Sequence, residues 1–183
     1  MRWSVYLIML FLMLVIDASV GNVLALGAVR PLFLPILVVY VTLFAPRMTA
    51  LWAAWIAGLL VDLLTDLPHG ADHVGPLIGP HALGAVFGAY AILQIRVVLL
   101  RRHVLTVVAM TLLFVAASSM VTVFIYAAHG WYDSETLFWA DIGPLAELWR
   151  RVLGALYTTA GALIVGPILV LTTAAWKFRG PSR

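Results

Sequence analysis

Long apolar runs separated by short polar connections make up most of the chain. Roughly Val5 to Leu26, Pro31 to Phe44, Met48 to Leu64, Pro76 to Ile95, Val104 to Ala128 and Val152 to Trp176 read as helices. An apolar run of about 17–25 residues suffices to span a bilayer, and the second run is short for that task. Pro31 opens it at a first-turn position, where the missing N–H removes no helical bond. The sixth run is open to an earlier entry through "GPLAELWRR". No alternation of barrel-strand length is seen. The pattern predicts an all-α fold, a polytopic transmembrane bundle of about six helices.

Composition agrees. The 183 residues are 64% hydrophobic and 10% charged, with mean hydropathy +1.07, against roughly 45–50% apolar residues in soluble domains. A water-soluble fold has no means of hiding this much apolar surface, so residues 1–183 are expected to form a single integral membrane domain. There is no cysteine, which excludes disulfides, thiol catalysis and thiolate-held metals. The pI near 9.6 does not point to nucleic acid, because the cations sit in small groups beside apolar runs. The start, "MRWSVYLIMLFLMLVIDASVGNVLA", has the outline of a signal peptide. Its apolar run exceeds the usual ~7–15 residues, so a retained first helix is expected.

Lys and Arg near helix ends set orientation. With the N-terminus cytoplasmic, Arg2, Arg47, Arg96, Arg101, Arg102, Lys177, Arg179 and Arg183 fall inside, and Arg30, Arg150 and Arg151 fall outside. The expected topology is therefore N-in/C-in. The outer loops then hold Asp66, Asp72, Asp133, Glu135, Asp141 and Glu147. The segment at about 130–149 reads as an outer amphipathic loop. Its Trp131, Phe138, Trp139 and Trp149 mark a membrane interface or a docking surface for a partner outside the membrane. Gly143 and Pro144 break any helix there or begin a new one.

Two acids lie within apolar runs, and an ionisable group inside a bilayer is costly. Ala50, Ala54, Gly58 and Asp62 recur every four residues and share one helix face. Small residues at this spacing let another helix come close. Asp62, at the outer end of that stripe, is expected to face protein. Burial penalises its charged form unless Arg, a backbone N–H or water compensates. Its expected role is structural, an acceptor tying the third helix to the next loop and helix. The alternatives are pairing with a partner subunit, or carrying protons or a substrate cation. Asp17, near Ser19, Gly21 and Asn22, is expected to make an interhelical hydrogen bond, with Asp62 or the outer loop as possible neighbours. Gly84 and Gly88, with Ala85 and Ala89, form a second close-packing face, so the third and fourth helices look built to touch. Gly154, Gly161 and Gly166 before Pro167 mark another close-packing or kinked surface.

Chemistry finds little support. No nucleophile elbow, HExxH or phosphate-cradling loop is present. His69, Asp72 and His73 lie among Pro68, Gly70 and Gly75, too turn-rich to present metal ligands rigidly. His81 reads as a helix–helix hydrogen bond. No catalytic, cofactor or metal residue is assigned.

The ordered stretches "RPLFLPILVVYVTLFAP", "WIAGLLVDLLTDLPHG" and "GPHALGAVFGAYAILQIR" resemble the rod shape-determining protein MreD family. The matching positions are Gly58, Leu59, Asp62, Gly79, Ala82, Leu83, Ala89, Tyr90 and Arg96. The connection "TDLPHGADHVGPLIGP" is longer and more polar than the family's short glycine turn. The resemblance implies a non-catalytic scaffold of the bacterial inner membrane within the cell-elongation complex. Its partners would be a membrane-spanning MreC-like protein and, indirectly, MreB, RodA and a transpeptidase, all amid membrane lipids. In fold the family also resembles substrate-binding subunits of energy-coupling-factor vitamin transporters, which is the alternative reading. The candidate packing and partner residues are Asp17, Ala50, Ala54, Gly58, Asp62, Gly79, His81, Gly84, Gly88, Tyr90 and Arg96.

Overall fold

The computed structural model describes residues 1–27, 29–69, 73–96, 104–129, 144–176 and 178. Its helices are α1 (Trp3–Val23), α2 (Leu34–Phe44), α3 (Arg47–Leu64), α4 (Pro80–Ile95), α5 (Val104–His129), α6 (Pro144–Leu171) and the one-turn α7 (Thr173–Trp176). The α3–α4 connection is not a plain loop. It holds an antiparallel hairpin of β1 (Asp66–His69) and β2 (His73–Pro76), with His69 opposite His73 and Asp66 opposite Pro76.

Four helical stretches, Trp3–Val23, Arg47–Leu64, Leu105–Ala128 and Trp149–Leu171, are long and apolar enough to cross a membrane. The other two expected spans are shorter. α2 has 11 residues and α4 has 16, about 16 and 24 Å at ~1.5 Å per residue, against a hydrocarbon core of ~30 Å. The apolar runs overstate both helices. Residues 31–33 are apolar but precede α2, and Pro76 ends β2 before Gly79 turns the chain into α4 at φ +131°. Conversely, α6 starts at Pro144, so the early entry is the one taken, and the run towards Trp176 breaks between α6 and α7.

A short helix inside a membrane domain must be shielded by protein, because lipid cannot satisfy its ends. α2 meets that demand. It packs against α1, α3, α4, α5 and α6, and nine of its 11 residues are buried. Ile36, Leu37, Val39, Tyr40, Val41 and Leu43 have no exposed surface. Beyond the C-terminal end of α2 the core closes on aromatic rings. Trp176 stacks on Phe178 at 5.6 Å, and Tyr40 meets Trp176 edge-on at 5.4 Å. The Arg2 N–H donates to the Trp176 carbonyl at 3.2 Å, which ties the start of α1 to α7.

Glycines set two close crossings. A Cβ on Gly58 would sit 2.5 Å from the His81 carbonyl oxygen and 2.6 Å from Ala82 Cα. Backbone therefore meets backbone where α3 crosses the start of α4. Ala50 and Ala54 continue that face and are fully buried. Gly84 and Gly88 turn elsewhere, towards α5. A Cβ on Gly84 would lie 2.7 Å from the Ser118 carbonyl oxygen, and one on Gly88 would lie 2.8 Å from the Phe114 ring. The two small-residue faces thus bind α4 between α3 and α5. They do not face each other, and both are covered within the chain.

Gly58→Ala is expected to push α3 from α4 and lower the melting temperature of the detergent-purified protein. Gly154→Ala meets nothing closer than Val29 Cγ1 at 3.9 Å. It should be neutral or stabilising by up to ~1 kcal/mol, the helix preference of Ala over Gly. Equal melting temperatures for the two variants would refute the close crossing at Gly58.

Candidate functional site

The buried polar chemistry of the bundle is concentrated where the short helices begin. A helix leaves its first N–H groups without intrahelical partners, and these two starts lie inside the fold. Each is completed by a proline, which has no N–H to satisfy, and by a carboxylate from the preceding long helix.

At α4, Gly79 is the N-cap residue and Pro80 the first helical residue. Asp62, on the last turn of α3 and 1% exposed, serves the remaining donors. Its Oδ2 accepts the Gly79 N–H at 2.9 Å and the Ala82 N–H at 3.0 Å. Its Oδ1 accepts the His81 N–H at 2.9 Å and faces His81 Nδ1 at 2.8 Å. The tautomer carrying its proton on Nδ1 completes that fourth bond. The next amide, Leu83, donates back to the Gly79 carbonyl at 2.8 Å. A carboxylate offers about four lone-pair sites, and all are occupied by protein donors. Negative charge at a helix N-terminus is also favoured by the helix dipole.

The start of α2 repeats the device. Asp17 on α1 accepts the Phe33 N–H and, at 3.1 Å, the Leu34 N–H. Thr158 on α6 accepts the Leu32 N–H at 3.1 Å, and Pro35 follows with no N–H to satisfy. Asp17 therefore meets the α2 start, whereas Ser19 and Asn22 donate within α1, to the Val15 and Ala18 carbonyls, and Asn22 Oδ1 accepts from Arg30 Nη1 at 3.4 Å. At the other end of α2, Arg96 Nη1 donates to the Thr42 and Ala45 carbonyls at 2.8 and 2.7 Å. A cation there complements the C-terminal end of the dipole. α2 is thus held by an acid at one end and a base at the other, each from a different helix.

Between the two capped starts lies a cavity of about 170 Å³. Its polar lining comprises Asp17, His81, Ser118, Ser119, Thr122 and Arg151. Thr122 donates from Oγ1 towards the Pro80 carbonyl at 3.2 Å and the Ser118 carbonyl at 2.9 Å, which joins α5 to the same corner. Among the described residues no group of three His, Asp or Glu side chains gathers to hold a metal.

The remaining sequence candidates are dispersed. Tyr90 is exposed, with the Arg47 guanidinium 5.4 Å from its ring centroid. Trp149 is exposed on α6, not on a loop. Trp131, Phe138 and Trp139 lie outside the described residues. Thr122, Thr158 and the cavity role of Arg151 escape a reading by sequence. Their signal was a scatter of hydroxyls along two apolar helices, visible as Ser118 and Thr122 four apart but without a stated target.

Asp62→Leu leaves three N–H groups at the α4 start without acceptors, each worth ~1–3 kcal/mol when buried. It is expected to abolish a folded, monodisperse species in detergent. Asp62→Asn keeps one accepting oxygen and should fold with stability reduced by ~1–2 kcal/mol. Faster amide exchange at Gly79, His81 and Ala82 should accompany it. A normally folded Asp62→Leu protein would show that the cap is dispensable.

Comparison with known proteins adds one identification. No curated protein and no solved structure matches the chain. A family model described as rod shape-determining protein MreD matches residues 1–134, which takes in α1 to α5 with both capping acids and Arg96. With most of its length inside that match, the chain belongs to the MreD family of rod shape-determining membrane proteins.

Proposed function

We propose that this protein is a non-catalytic scaffold of the bacterial cell-elongation complex. It sits in the inner membrane as a single N-in/C-in domain and binds the transmembrane segment of an MreC-like protein. Through that contact it helps organise MreB, RodA and a transpeptidase around peptidoglycan synthesis. Family membership supports the role in rod shape. The observation that carries the non-catalytic reading is the occupancy of Asp62. Its lone pairs accept Gly79, His81 and Ala82 donors, which leaves no acceptor for a proton relay or a substrate cation.

The transporter-subunit alternative needs a ligand pocket. The cavity beside Asp17 and His81 is about 170 Å³, below the ~300–1,000 Å³ of drug-sized ligand sites. Its size argues against this cavity as that pocket.

The small-residue faces are covered inside the chain, so a partner helix needs another surface. Met48, Leu51, Trp52, Trp55 and Val86 line a shallow apolar groove across α3 and α4, with Met48 and Trp52 well exposed. That uncharged groove suits an apolar transmembrane helix.

The test is a gentle-detergent pull-down of the tagged chain from its native membrane, with mass spectrometry of what is retained. An MreC-like protein is expected, and its yield should fall several-fold when Trp52 and Trp55 are both changed to Ala. Recovery of an ATPase pair with a coupling membrane subunit, and no MreC-like protein, would favour the transporter reading instead.

A further inference from the structure

The charge rule leaves Arg30, Arg150 and Arg151 on the side opposite the other cations. Arg30 is far in the chain from the adjacent Arg150 and Arg151, yet the fold gathers them. All three line one depression of about 200 Å³ between the α1–α2 connection and the first turns of α6, together with Ser119 and Thr158. Arg30 Nη1 also donates to Asn22 Oδ1 at 3.4 Å, which steadies it at the rim of the depression.

This depression does not end in protein. Ser119 and Arg151 also line a groove of about 620 Å³ between α5 and α6. There the walls are apolar: Leu112, Met120, Val123, Phe124, Val152 and Leu156. Met120 and Phe124 are each 74% exposed, and Leu156 is 52% exposed. From Ser119, where the depression opens into it, the groove follows α5 to Leu112, about 10 Å at ~1.5 Å per residue, which takes the first part of an acyl chain. A cluster of guanidiniums opening onto a long apolar trough is complementary to a molecule with an anionic head and a hydrocarbon tail. Guanidinium favours planar, bidentate recognition of phosphate over a point-charge contact.

We propose that this surface is a binding site for a phosphate-headed membrane lipid. Arg30, Arg150 and Arg151 hold the headgroup and the α5–α6 groove holds the chain. The site shares no lining residue with the groove of Met48, Trp52 and Trp55, so it is independent of the partner-helix reading. It also gives the three arginines a reason to stand against the charge bias.

The test uses the purified full chain in neutral-detergent micelles doped with equal amounts of dioleoyl phosphatidic acid and dioleoyl phosphatidylcholine. Native mass spectrometry then reads which lipid stays bound. Phosphatidic acid should be retained over phosphatidylcholine by about tenfold or more, since each Arg near an anionic headgroup contributes of the order of a several-fold preference. The Arg150→Gln/Arg151→Gln protein should lose most of that preference, and Arg30→Gln, at an exposed position, should lose part of it. Arg47→Gln, at the start of α3, should change nothing, which excludes a general attraction of anionic lipid to basic residues. Ala116→Phe, which fills the exposed groove and leaves the arginines in place, should reduce retention. Equal retention of the two lipids overturns the proposal, as does an unchanged preference in both arginine variants. Displacement of the bound lipid by excess inorganic phosphate would also overturn it, by showing that the apolar groove contributes nothing.

Discussion

A helix that begins inside a membrane domain must find acceptors for its first N–H groups, and this fold depends on meeting that demand twice. α2 and α4 are too short to run from one aqueous face to the other, so their starts are embedded. An orphaned buried N–H costs ~1–3 kcal/mol. Asp17 and Asp62 supply the acceptors from the preceding long helices. Proline at each start reduces the number of donors to be served. An acid that looks misplaced in an apolar run is, in place, the partner of a neighbouring helix end.

The cap and the packing depend on each other. Asp62 reaches the α4 start because Gly58, one turn earlier on α3, lets the His81–Ala82 backbone come within van der Waals contact. A side chain at 58 separates the helices and lengthens every bond to the carboxylate. On its other side α4 is drawn against α5 by Gly84 and Gly88, and Thr122 reaches from α5 back to the Pro80 carbonyl. At the far end Arg96, at the C-terminus of α4, closes α2 through the Thr42 and Ala45 carbonyls. The two short helices are thereby coupled, one by its start and its end, the other through the residue that follows it.

The two ends of the bundle differ in chemistry. One is sealed by Tyr40, Phe44, Trp176 and Phe178 with the chain start bonded to α7. The other holds both carboxylates, the cavity and the three converging arginines. This polarity is consistent with the proposed scaffold role, in which interior chemistry is used for shape.

Hydropathy alone determined that the chain is a membrane helix bundle, because the length and apolarity of a run are local properties of the sequence. The four-residue stripe from Ala50 to Asp62 likewise fixed a packing face, since helical periodicity needs no knowledge of the neighbour. Short motifs were enough to suggest the family, and the family match agrees. Helix ends were less legible: apolar residues 31–33 and 77–78 look like helix but are held outside it by Asp17, Thr158 and the turn at Gly79, acceptors and geometry that lie elsewhere in the chain. The hairpin at 66–76 was hidden for the same reason, being a pairing between segments that each read as turn. Which helix a glycine face meets, which N–H a carboxylate serves, and that Arg30, Arg150 and Arg151 share one depression were decided only by the tertiary structure, because each depends on a distance between residues that the sequence leaves far apart.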